Sequence, residues 1–116
     1  MQDGTTDTMR VRFPAAAAYA RIGRVAVAGL ALRLEIDVQR VENLRLAVDA
    51  AVSALTGRGE IVVFVQWSPG ELTLDIGNDD AHLSADATAQ LSELLSPLVD
   101  GYDVTDVGVT LGLTSA

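Results

Sequence analysis

The chain has no cysteine and no lysine, a single histidine, and five aromatic residues among 116. Without cysteine there is no disulfide framework and no thiolate-held metal. Without lysine, all eight positive charges are arginine; sixteen Asp and Glu oppose them, for a formal charge of −8. So acidic a surface repels phosphate backbones and anionic lipid. Nucleic acid and membrane are therefore not expected as partners; a basic protein partner fits better, beside the alternative that the acidity serves solubility alone. With 4% aromatic residues but 49% hydrophobic ones, the core must be built from Ala, Val and Leu. No apolar run reaches the ~18–20 residues of a membrane span. The opening MQDGTTDT has neither the basic start nor the apolar centre of a signal peptide, so a cytoplasmic protein is expected. His82 stands alone in a polar turn and reads as a solvated side chain, and no metal site is expected.

What the sequence does contain is a strongly patterned helix, VENLRLAVDAAVSAL, from Val41 to Leu55. Val41, Leu44, Val48, Val52 and Leu55 recur at three- and four-residue steps, with Ala47 and Ala51 widening the stripe, which places them on one helical face. Glu42, Asn43, Arg45, Asp49 and Ser53 occupy the other. Asp37 is placed to cap the helix, and Gly57 to stop it.

Met9 to Phe13 alternates, with Met9, Val11 and Phe13 on one side and Arg10 and Arg12 on the other, as in a half-buried strand. Residues 1–8 are polar and expected to fray, leaving one domain from 9 to 116. Ala15 to about Leu34 reads as a helix with Ala18, Ile22, Val25, Gly29 and Leu32 inward. Gly23 and Gly29 each cost that helix about 1 kcal/mol against Ala, which points to close packing or a docking surface. Ile61–Trp67 and Leu72–Ile76 read as strands joined by a turn at Ser68-Pro69-Gly70. Ser84 begins a third helix to about Val99, with Leu91, Leu94, Leu95 and Leu98 inward and Pro97 shortening or kinking its end. Gly101 to Asp106 reads as a turn, or a very short strand around Tyr102–Val104, and a closing strand at Val107–Thr114 finishes the chain. This order predicts an α/β (α+β) two-layer sandwich, a mixed, mostly antiparallel sheet with helices on one face.

The central helix also carries a resemblance. LRLAVDAAVSAL resembles the nucleotide-site helix of the anti-sigma-factor serine kinases, within the GHKL ATPases, which reads L-A-V-x-E-A-x-x-N-A. The family's Glu acts on the attacking group and its Asn holds Mg²⁺; here these positions are Ala50 and Ala54. A methyl group can neither take a proton nor bind a hard cation. The family's D-x-G-x-G box corresponds to Asn78-Asp79-Asp80-Ala81-His82, with Asn78 at the Asp and Asp80 and His82 at the glycines. No Gly-rich phosphate turn precedes the third helix. The resemblance thus implies the fold without the nucleotide chemistry: no cofactor, and no catalytic residue.

Tyr19-Ala20-Arg21-Ile22 resembles wording in the family's first helix whose Arg contacts partner proteins. That implies Arg21, with Arg24 one turn on, as partner-binding residues beside the alternative of a solvated helical face. The resemblance implies a non-catalytic regulator that binds a sigma factor or an anti-anti-sigma protein. The alternatives are a divergent ATP-dependent serine kinase and a homo-oligomerising structural module. Val62 and Phe64, on the outer sheet face among Arg10, Arg12, Gln66, Thr73 and Asp75, leave a homodimer open.

Overall fold

The computed structural model describes residues 7–33 and 36–114, without the side chains of Arg24, Ala28, Leu32 and Arg33. Strand β1 (Asp7–Pro14) begins two residues earlier than the alternation suggests and buries Phe13 while Arg10 and Arg12 stay exposed. The frayed segment expected at the N-terminus falls, over 1–6, outside the described residues.

Helix α1 (Ala20–Arg33) starts five residues later than expected, after a 3₁₀ turn at Ala17–Tyr19. The cause lies in Ala15. Its N–H donates to Gly59 O at 2.9 Å and its carbonyl accepts from the Gly57 N–H at 2.7 Å. The second bond diverts a carbonyl that a helix starting there would need, and Ala16 is extended (φ −122°, ψ 146°). The expected inner face of α1 is also wrong. Ala18, Ile22, Val25 and Gly29 are exposed, and Gly23, Val27 and Ala31 are buried instead; the side chain of Leu32 lies outside the description. A Cβ on Gly23 would sit 3.1 Å from the Phe13 ring, so this glycine sets how closely α1 approaches β1.

Helix α2 (Val38–Leu55) buries the whole predicted stripe: Val41, Leu44, Ala47, Val48, Ala51, Val52 and Leu55. The Gln39 N–H donates to the Asp37 carboxylate at 3.1 Å, satisfying one of the unpaired donors of the first turn. Strands β2 (Glu60–Ser68) and β3 (Glu71–Gly77) form a hairpin closed by the Ser68–Glu71 pair. Gly70 in its turn has φ 84°, a value that glycine adopts without steric cost.

Helix α3 (Ala85–Leu95) is capped by Ser84, whose hydroxyl accepts from the Ala87 N–H at 3.0 Å. It ends two residues before Pro97, which lacks the N–H needed to continue it. Leu91 and Leu95 are buried, as the pattern predicts, but Leu94 is 59% exposed. Strands β4 (Gly101–Val104) and β5 (Gly108–Thr114) complete a five-stranded sheet of order β1-β2-β3-β5-β4, antiparallel throughout. Ile61, Val63, Val65, Leu72, Leu74, Ile76, Val109, Leu111 and Leu113 share one face and form the core with the helices. The fold is the α+β sandwich expected from the element order.

Candidate functional site

Two regions draw the candidate residues together. The first is the loop after β3. Asn78 is 2% exposed, the one buried polar residue among those described. Its side-chain amide donates to Leu55 O at 2.9 Å and Arg58 O at 2.8 Å. Its side-chain oxygen accepts from the Asp80 N–H at 3.0 Å. Its backbone is engaged as well: the N–H donates to Val107 O and the carbonyl accepts from the Ala81 N–H, each at 2.9 Å. The side chain therefore fastens the end of α2, the turn into β2 and its own loop to one another. Both amide hydrogens are committed, so none is left to read a ligand.

The rest of the loop is folded down in the same way. The Asp80 carboxylate lies where a Cβ on Gly59 would be, and Gly59 has φ 80°. The Leu83 N–H donates to Asp106 O at 2.9 Å. His82 is exposed. Ala50 and Ala54 are half-buried on α2 and pack against the core. A cavity of about 420 Å³ opens beside the loop, its walls including Arg12, Glu60, Asn78, Asp79 and Asp80. Three carboxylates against one guanidinium, itself 3.5 Å from Glu60, make an unfavourable place for a phosphate. No group of three or more His, Asp or Glu stands ready to hold a metal among the described residues.

The second region is the outer side of α1. Tyr19 and Ile22 are each 44% exposed and Val25 is 60% exposed. At ~100° per residue Ile22, Val25, Ala26 and Gly29 fall within about 100° of the α1 circumference, on a different side from Gly23, Val27 and Ala31, and Tyr19 precedes them at the end of the 3₁₀ turn. A Cβ on Gly29 would meet nothing within 4 Å, so this glycine is a notch in an open surface. Arg21 is exposed and borders the stripe next to Val25. Arg24 lies on the same helix; its side chain is outside the description. Composition conceals this stripe, because α1 is apolar nearly all round and its periodicity does not single out a buried side.

No protein-family model matches the chain, and no curated protein does. Among solved structures it is similar to the crystal structure of the RsbU and RsbW domains of Rv1364c from Mycobacterium tuberculosis. The TM-score is 0.74 over 93% of this chain, at 14% identity. The chain spans 32% of the length of that one. At this identity the relation is a distant one, of fold. No helix among the described residues is long and apolar enough to cross a membrane.

Proposed function

We propose that the protein is a non-catalytic regulator of the anti-sigma-factor type, acting by binding a sigma factor or an anti-anti-sigma protein through the exposed face of α1. The observation that carries the reading is the apolar stripe Tyr19, Ile22, Val25 bordered by Arg21. Two large apolar side chains on one exposed helix face, with a third exposed in the turn that leads into it, mark an interaction surface more than singly scattered ones do. A guanidinium on a chain of charge −8 is a local exception that a carboxylate on the partner can read. The fold shared with a structure containing an RsbW domain and the wording of α2 support the same superfamily.

The non-catalytic part of the proposal rests on the loop at Asn78. Ala50 and Ala54 offer no oxygen or base, and Asn78 uses its amide to bond Leu55 and Arg58. Titration calorimetry with Mg-ATP tests it directly. No heat of binding is expected; a micromolar dissociation constant would overturn the loss of the nucleotide site and favour the divergent kinase. The partner half is tested by binding to purified sigma factors and anti-anti-sigma proteins of the host. Val25→Asp is expected to abolish binding while the melt stays cooperative, because Val25 is outside the core.

A further inference from the structure

The two edges of the sheet are built differently. β4, at one edge, is four residues long; β1, at the other, is eight and is paired only with β2 among the described strands. Every second residue of an edge strand turns its N–H and C=O away from its neighbour, so β1 carries a row of backbone groups that no described strand meets. A long edge of this kind is a template for a further strand.

The side chains of β1 are divided between two faces. On the helix side, Met9, Val11 and Phe13 extend the core row formed by Val65, Val63 and Ile61 of β2. Those three β2 residues are fully buried and Phe13 is covered by α1 at Gly23, but Met9 and Val11 are only half-buried, so the row is incomplete at the edge. Asp7, at the start of the strand, lies on this side too. Arg10 and Arg12 stand on the other side. Arg12 is shared with Glu60 of β2 at 3.5 Å, both side chains more than half exposed. Arg10 lies over the Phe64 ring, 4.9 Å from its centroid, and pairs with no carboxylate among the described residues. Glu71 and Asp75 stand on β3, two strands or about 10 Å away, and Asp75 accepts from Thr110 Oγ1 at 2.8 Å.

We infer that the β1 edge accepts an extended segment of a protein partner, added as a further strand, in which apolar and acidic residues alternate. The segment's backbone continues the ladder, and its apolar side chains complete the row beside Met9 and Val11. Its carboxylates meet Arg10, already laid flat on the ring of Phe64, and Arg12. A second copy of β1 does not fit this edge. Antiparallel self-pairing centred on Val11 sets Arg10 against Arg12, and centring it on either arginine sets that residue against itself. Like charges directly opposite destabilise a strand pair.

NMR on the full isotope-labelled chain with a capped synthetic peptide, Thr-Val-Glu-Val-Glu-Val-Thr, tests the inference. At up to about 1 mM the peptide should shift the β1 amides and slow hydrogen exchange at every second one. Replacing both glutamates of the peptide by arginine should weaken binding at least about tenfold. The chain as a whole carries −8, so a preference for the acidic peptide runs against the net charge and reports the local arginines. The double variant Arg10→Glu/Arg12→Glu should reverse that preference and still melt cooperatively, since both side chains are exposed. No response of the β1 amides overturns the inference, as does binding that leaves their exchange unchanged or a wild type that prefers the arginine peptide. Protection of β1 in peptide-free protein that grows with protein concentration assigns the edge to a second copy and overturns it too. No partner of α1 enters the experiment, so each of these results leaves partner binding by α1 standing.

Discussion

The side-chain amide of Asn78 donates to the carbonyl of Leu55, the last residue of α2, at 2.9 Å. A residue just past β3 thus satisfies one of the carbonyls that every helix end leaves unpaired, and the same amide reaches Arg58 O. Asn78 is thus a clasp joining the end of α2, the turn into β2 and its own loop.

Asn78→Ala removes that clasp and leaves the Leu55 and Arg58 carbonyls and the Asp80 N–H without their partner. Stability should fall by about 2–4 kcal/mol, lowering the melting temperature by roughly 8–16 °C. Asn78→Asp should be no better, because a carboxylate would face two carbonyl oxygens, and it should not confer Mg-ATP binding. A melt unchanged by either substitution would show that the clasp contributes nothing.

The two glycines of α1 should respond differently to alanine. Gly29 is open on all sides, so Gly29→Ala should stabilise by up to about 1 kcal/mol through helix propensity alone. At Gly23 the added methyl would press on the Phe13 ring at 3.1 Å, and the gain should be smaller or reversed. Urea melts of the two variants decide this; a Gly23→Ala protein more stable than Gly29→Ala would contradict the packing described.

Asp100, in the turn before β4, joins β5 to α2, accepting from the Thr114 N–H at 2.7 Å and pairing with Arg40 of α2. The Thr114 N–H above all, with Arg40 adding to it, holds its carboxyl below the ordinary carboxylate range. A carboxyl that is more acidic folded than unfolded contributes stability in full above its unfolded pKa, about 4, and loses it as pH falls through the folded value. Asp100→Asn should therefore lose less stability than the wild type on acidification below about pH 4. Parallel acid limbs in denaturant melts of the two proteins would refute that assignment.

Arg21→Ala should weaken partner binding by roughly thirtyfold or more, equivalent to about 2 kcal/mol. The melting temperature should barely change, since Arg21 is exposed. Calorimetry on a partner recovered from host lysate measures the first, and a thermal melt the second. Affinity retained by both Arg21→Ala and Val25→Asp would remove α1 from the interface.

The strands, the buried row of α2 and the caps at Asp37 and Ser84 were legible in the sequence because each is a local matter. A period of two or 3.6 residues and an oxygen within three residues of a free N–H need no distant partner to be read. The side of α1 that faces inward was not legible. ARIGRVAVAGLALR is apolar around most of its circumference, so the Phe13 ring and the docking of Ala15 onto Gly57 and Gly59 decided the rotation. The role of Asn78 was equally hidden, since its side chain bonds residues 23 and 20 positions away. Sequence determined which segments form helix and strand; only tertiary packing decided which faces stay open to a partner, because burial belongs to pairs of elements and not to either one alone.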